Sequence, residues 1–193
     1  MENLSVQLPP AEASFIGRSP LTRAALAFAE GRHSGQTRDL DTTPFVTHPL
    51  EVARLLNDAG YSDEVVAAGV LHDVLEDTDA ERADLDARFG TAVAWLVTAV
   101  SDDPSIEDPR ERKAALRRQV AEAGDRAAAI FAADKISKVR ELRARISSGG
   151  SDEADRTKLD HYEQSLAMLS ELIPGHVLVD QLRRELDALP AIS

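Results

Sequence analysis

A chain of 193 residues can build one compact domain and is short for two. Its formal charge of −12 excludes a nucleic-acid polymer as partner, because polymer binders draw most of their affinity from a basic face; the absence of cysteine excludes disulfides, thiolate zinc sites and a Cys nucleophile. The longest apolar runs, 65–71 and 127–133, have seven residues each against the roughly 18 of a membrane span, and no basic segment leads into an apolar stretch at the N-terminus, so a cytoplasmic protein without signal peptide or membrane partner is expected.

Residues 1–19, with Pro9-Pro10, read as a flexible arm free to pack in a homo-oligomer, ahead of a domain spanning 20–190. Pro20 opens an Ala-rich helix with an apolar face of Leu21, Ala25, Phe28 and Ala29; proline suits a first helical position, where its missing N–H would have no partner anyway. The polar segment 34–45 carries Arg38, either a solvated loop residue or a cation aimed at a ligand. Pro49 then fits the start of a second helix and sets His48 at its N-cap boundary, from which the ring can project. Gly60 closes that helix and Ser62 caps the next.

The helix after Ser62 is apolar through Leu71 and runs into LHDVLEDT (71–78), so this motif lies near the C-terminal end of a buried helix. At 3.6 residues per turn His72 stacks on Glu76 and Asp73 on Asp77, giving two adjacent columns of ionisable groups. Such a cluster rarely serves stability. An exposed acidic helix end is the bland alternative, and the inward position of His72 argues against it.

Next come a short acidic helix ended by Gly90, a helix with Trp95 expected in the core, a loop at 101–109 and an Arg/Lys-rich helix. Arg112, Lys113, Arg117 and Arg118 are ordinarily a solvated face, but in so acidic a chain a local basic cluster also suits a phosphate collector. Asp125 reads as the cap of a long helix in which Ala127, Ile130, Phe131 and Asp134 share 3/4 spacing, so Asp134 lies on or beside the buried face. A buried carboxylate needs a cation, either a metal ion or Lys138 one turn on. A flexible break at 148–151 and Pro174-Gly175 delimit two final helices. Without strand alternation, the expected fold is an all-α, single-domain bundle of about eight or nine helices.

Taken together, HSGQTR (33–38), PFVTHP (44–49), AGVLHDVLEDT (68–78), RFG (88–90), VSDD (100–103), ERK (111–113) and ADKISKVREL (133–142) resemble the hydrolase domain of the Rel/Spo alarmone enzymes, in particular the stand-alone small alarmone hydrolases. The pieces stand in family order with near-family spacing over residues 20–145. The resemblance implies an all-helical HD-superfamily fold and a manganese-dependent removal of the 3′-pyrophosphate of a small nucleotide, ppGpp or pppGpp. Matched residue by residue, it implies metal ligands at His48, His72, Asp73 and Asp134 and a catalytic acid pair at Glu76 and Asp77. It also implies a guanine-stacking cation at Arg38 and phosphate-contacting cations at Lys113 and Arg112.

Two imidazoles and two carboxylates without sulfur suit Mn²⁺, Fe²⁺ or Mg²⁺ better than a closed structural zinc site. Such an ion lowers the pKa of bound water from about 15.7 toward neutrality, so a carboxylate suffices as base. The chain departs from the family pattern at Ser137, in place of an aromatic or His, and at Lys138, in place of an Asn that contacts the nucleotide. Lys138 is expected near the metal, where it can reach an extra phosphate, pair with Glu141 or fill the usual ribose position. Asp39 occupies a position that is basic in some relatives. The expected function is a metal-dependent nucleotide pyrophosphohydrolase acting on (p)ppGpp. The alternatives are an HD phosphatase for another nucleotide, NADPH or a nucleoside monophosphate, and a non-catalytic nucleotide sensor, which would have no use for Glu76 and Asp77. His33, His161 and His176 read as structural.

Overall fold

The computed structural model describes residues 15–38, 43–149 and 151–190; residues 1–14 of the expected arm, Asp39 and Gly150 lie outside the described residues. Where the arm is described it is packed: residues 15–18 form a helical turn, and Phe15 and Ile16 are buried. Ten helices follow: α1 (Pro20–Arg32), α2 (Thr47–Asp58), α3 (Asp63–Leu71), α4 (Val74–Asp77), α5 (Arg82–Phe89), α6 (Thr91–Val100), α7 (Pro109–Ala123), α8 (Asp125–Ser147), α9 (Glu153–Leu172) and α10 (Val177–Asp187). No strand occurs among the described residues, only an isolated bridge between Thr37 and Pro44. The all-α expectation holds, with the four-residue α4 as an extra turn.

The helix starts follow from side chains that satisfy orphan N–H groups. Ser19 accepts from Thr22 N at 3.3 Å ahead of Pro20, and Asp108 accepts from Glu111 N at 2.8 Å ahead of Pro109. Reciprocal pairs do the same at α5 (Glu81 with Asp84) and α9 (Asp152 with Asp155). Gly124, with φ of 83°, caps α8, so Asp125 is its first helical residue rather than the cap. Trp95 is 39 % exposed instead of buried, because Val93, Leu96, Val97 and Val100 take the inward stripe of α6 and leave position 95 beside it.

Two helices form the centre. α8 packs against α2, α3, α6, α7, α9 and α10, and α3 against α1, α2, α6 and α8. Residues 127–137 of α8 are therefore buried all round, so the polar Asp134, Lys135 and Ser137 must find partners inside the protein. α3 lies close on α2 at Gly69, where a Cβ would run into Leu56 Cδ1. No helix among the described residues is long and apolar enough to cross a membrane.

Candidate metal centre

The site forms where the first turn of α2, the junction of α3 with α4 and the middle of α8 meet. His48 is the second residue of α2, and Pro49 is its third rather than its first. The N–H groups of Thr47 and His48 bond to the carbonyls of Pro44 and Phe45 at 3.1 and 2.9 Å. Proline is tolerated there because the first N–H groups of a helix have no acceptor within it.

The expected unbroken helix through LHDVLEDT is a correction. α3 stops at Leu71 because His72 Nδ1 donates to the Gly69 carbonyl at 2.8 Å, the acceptor that a continuing helix would offer to Asp73 N–H. The Asp73–Asp77 column survives, with Asp77 N bonded to Asp73 O at 3.0 Å. Glu76 N bonds to the same carbonyl at 3.1 Å, and the Glu76 carboxylate accepts from Asp102 N at 2.8 Å.

His48 and His72 present Nε2 atoms 3.1 Å apart. Asp134 Oδ1 lies 3.2 and 3.5 Å from them, Asp73 Oδ2 lies 3.3 Å from His48, and Asp73 Oδ1 lies 3.0 Å from His72. All four side chains are buried. The partners assign the tautomers: His72 Nδ1 must carry the proton given to Gly69 O, and His48 Nδ1 donates to Ser137 Oγ at 2.9 Å, since the Ser137 hydroxyl itself donates to Glu51 at 2.6 Å. Two imidazole lone pairs and the Asp134 carboxylate thus converge on one point, with Asp73 against both rings. Asp73 Oδ2 and Asp134 Oδ1 are buried there without a hydrogen bond. This donor set calls for a cation, and the buried His48, His72 and Asp134 group fits a divalent metal ion.

The surrounding charges agree. Burial alone would lower the His72 imidazolium, but Asp73 and Asp134 overcome it and hold its pKa up at about 10, so a proton is retained where no ion sits. Burial would raise both carboxyls, yet His72 and Lys138 beside Asp73, and Lys135 and Lys138 beside Asp134, hold them well below the usual range. Lys138 Nζ lies 3.1 Å from Asp134 Oδ1 and 3.9 Å from Asp73 Oδ1, so it pairs with these acids rather than with Glu141. Lys135 Nζ holds the other oxygen of Asp134 at 2.6 Å and sits 4.3 Å over the Phe131 ring. The sequence reading missed Lys135; the signal was a Lys beside Asp134 in an otherwise apolar buried run. Glu76 and Asp77 shift the opposite way, up, through burial and then chiefly the charge of Asp73.

Arg38 reaches the site. It lines a cleft of about 160 Å³ with Phe45, His48, Asp73, Asp77 and Lys138, and its guanidinium is held by Glu141 at 3.0 Å. Lys113 faces an adjoining cavity of about 460 Å³ that Lys138 also lines, and it bonds to Asp102. Arg112 turns to the Ile106 carbonyl at 2.9 Å, outside both cavities, and Arg118 is exposed. His176 has a structural place, capping α10 and bonding Tyr61 at 2.9 Å. His33 is buried against Phe45 and bonds Gln36 at 2.7 Å. His161 instead lines the larger cavity.

Comparison with known proteins matches the HD domain family over residues 25–167. The chain is 39 % identical over 131 residues to the *Drosophila melanogaster* guanosine-3′,5′-bis(diphosphate) 3′-pyrophosphohydrolase MESH1, covering 66 % of this chain and 73 % of that protein. It is 37 % identical to the *Homo sapiens* MESH1 with the same coverage. The bifunctional (p)ppGpp synthase/hydrolase SpoT of *Escherichia coli* is 40 % identical over 94 residues, 48 % of this chain but 13 % of SpoT. Among solved structures, a metazoan SpoT ortholog described as hydrolysing ppGpp superposes with a TM-score of 0.76 at 30 % identity, over 89 % of this chain and 98 % of that one. The burial and convergence of the His and Asp groups, the helical fold and these matches together place the chain in the HD-domain phosphohydrolase family, among the relatives of MESH1 and of the SpoT/Rel ppGpp hydrolase domains.

Proposed function

We propose that this protein is a metal-dependent (p)ppGpp 3′-pyrophosphohydrolase. The observation that carries the reading is the convergence of His48, His72 and Asp134 in a chain that covers 73 % of *Drosophila* MESH1 at 39 % identity. His48, His72, Asp73 and Asp134 are the metal ligands in this reading, and Mn²⁺ suits their nitrogen and oxygen donors. When bound, the ion supplies positive charge to the phosphate oxygens and acidifies water.

The protein's own groups do the rest. Asp73 and Asp134 are held ionised by neighbouring cations, whereas Glu76 and Asp77 are shifted up toward the range in which a carboxylate can take and return a proton. Glu76, steadied by the Asp102 amide, orients the attacking water and accepts its proton, with Asp77 beside it on the cleft. The water oxygen bonds to the phosphorus carried by the ribose 3′-oxygen, the P–O3′ bond breaks, the 3′-oxygen takes up a proton and pyrophosphate departs. Arg38 offers a flat cation for stacking on guanine, and Lys138 adds charge beside the phosphorus. Lys113, and Arg112 if it swings from Ile106, contact the remaining phosphate oxygens.

The test is product analysis after incubation of ppGpp with the protein in Mn²⁺ and in chelator. Pyrophosphate and GDP are expected only with metal, and about 10²- to 10⁴-fold more slowly from Glu76→Gln. Orthophosphate from NADPH or a nucleoside monophosphate, with ppGpp intact, would replace the substrate, and no metal-dependent release from any of these would turn the reading to a sensor.

A further inference from the structure

Two lysines of α8 reach Asp134, and they hold it differently. Lys135 is fixed: its side chain is 4 % exposed, its ammonium donates to Asp134 Oδ2 at 2.6 Å, and it lies over the Phe131 ring. Lys138 has 34 % of its side chain exposed and meets the other oxygen, Oδ1, at 3.1 Å. Oδ1 accepts no hydrogen bond, so charge alone draws this ammonium there. It also stands 3.9 Å from Asp73 Oδ1.

Oδ1 is the oxygen that Asp134 turns toward the Nε2 atoms of His48 and His72, at 3.2 and 3.5 Å. It is therefore the atom that this carboxylate offers to a metal ion, and Lys138 contacts the same atom. A divalent ion on Oδ1 is brought next to the ammonium, in a buried place where water screens them poorly, and like charges at that range repel strongly. One of the two must give way. Lys135 is bonded to the other oxygen and packed on a ring, whereas Lys138 has room: its side chain lines both the metal cleft and the larger cavity between α7, α8 and α9. Glu141, three residues on and so a neighbour on the helix surface, lines both spaces too and supplies a second carboxylate, held by Arg38 at 3.0 Å, toward which a displaced ammonium can turn.

We propose that Lys138 is a tethered counter-cation that competes with the metal ion for Asp134, and so sets the free metal concentration at which the centre fills. The proposal rests on the metal-ligand reading of His48, His72, Asp73 and Asp134 and is independent of which nucleotide is cleaved. Loading is then an exchange of one cation for another, and the apparent affinity carries the displacement of the first. Mn²⁺ dissociation constants, obtained by competition with a fluorescent chelator, are compared for full-length wild type, Lys138→Met, Lys138→Arg and Lys113→Gln, each checked for folding by circular dichroism. Lys138→Met keeps the aliphatic stem without the charge and is expected to bind Mn²⁺ about tenfold more tightly, since no ammonium has to leave. Lys138→Arg keeps the charge and is expected to stay near wild type. Lys113→Gln removes a cation that faces the same cavity but is bonded to Asp102, and is expected to stay near wild type as well. Affinity in Lys138→Met equal to or below that of wild type would overturn the proposal, because ammonium and ion would then share the carboxylate. An equal gain in Lys138→Arg would assign the effect to side-chain shape, and an equal gain in Lys113→Gln to the summed positive field; either result rejects the competition. Should Lys138→Met fail to fold, Lys138→Gln carries the same expectation. Mn²⁺ binding by neither wild type nor the folded Lys138 variant would remove the metal-ligand reading and the proposal together, whereas binding by that variant alone would support both.

Discussion

His48 is oriented by a relay that starts outside the metal centre. Its Nδ1–H goes to Ser137, the Ser137 hydroxyl to Glu51, and Glu51 accepts from Arg140 at 2.7 Å, while Arg140 and Arg143 both hold Glu185 of α10 at 2.6 Å. Ser137→Ala leaves a buried N–H without its acceptor and the ring free to tilt, so metal affinity should fall about 10- to 100-fold, with Ser137→Thr restoring most of it. Competition with a fluorescent chelator measures this; an unchanged affinity would reduce Ser137 to packing. Glu76 sets a second expectation. Burial and then the charge of Asp73 raise its carboxyl above 4.5, and a base works only when ionised. As pH falls, Glu76 therefore takes up its proton earlier than an ordinary glutamate, and kcat/KM should decline through an apparent pKa above 4.5. Glu76→Gln should cost about 10²- to 10⁴-fold in kcat with metal content intact, the range of general acid–base catalysis. An acid limb unaltered in residual Glu76→Gln activity would assign that limb to another group.

At the scale of elements, the break between α3 and α4 and the close crossing of α3 on α2 meet at one residue. Gly69 gives its carbonyl to His72 and has no room for a side chain against Leu56, which is fully buried and cannot retreat. Gly69→Ala should therefore destabilise by about 1–3 kcal/mol through overpacking and shift the His72 ring with it, lowering metal affinity as well. Chemical denaturation and metal titration of one variant check both effects; a loss of stability with unaltered metal affinity would uncouple the crossing from the ligand. This junction shows what a sequence can and cannot convey. That His72, Asp73 and Asp134 lie buried side by side was legible because residue type, apolar surroundings and helical spacing agree at each. The break at residue 72 was not, because it arises from a ring bonding to a carbonyl, which periodicity does not register. Arg117 with His161, and Ser137 with Glu51, were illegible for another reason: their partners lie 44 and 86 residues away, and only helix packing brings them together. Trp95 failed as a core residue because its size favoured burial while its angular position on α6 did not.

For the whole molecule, the proposed ligand set is a tie between distant parts of the chain. His48 on α2, His72 and Asp73 at the α3–α4 junction and Asp134 on α8 belong to elements that also carry much of the core packing. In the unfolded chain no such constellation exists, so a bound ion stabilises only the native state. At a free Mn²⁺ concentration 100 times its Kd, the gain is about 2.7 kcal/mol. A domain of this size moves its Tm by about 2–4 °C per kcal/mol, which puts the expected rise at about 5–11 °C. Chelator should reverse it. Without the ion, His72 holds a proton and Lys135 and Lys138 partly balance the acids, so the stripped protein should remain folded rather than collapse to a disordered chain. Asp134→Asn keeps the shape of the side chain but removes the charge shared by the ion and both lysines, and should abolish the Mn²⁺-dependent rise. Differential scanning calorimetry of wild type and Asp134→Asn, each with Mn²⁺ and with chelator, decides the matter: an equal rise in both proteins would move the ion to another site, and no rise in wild type would remove the metal from the stability of the fold.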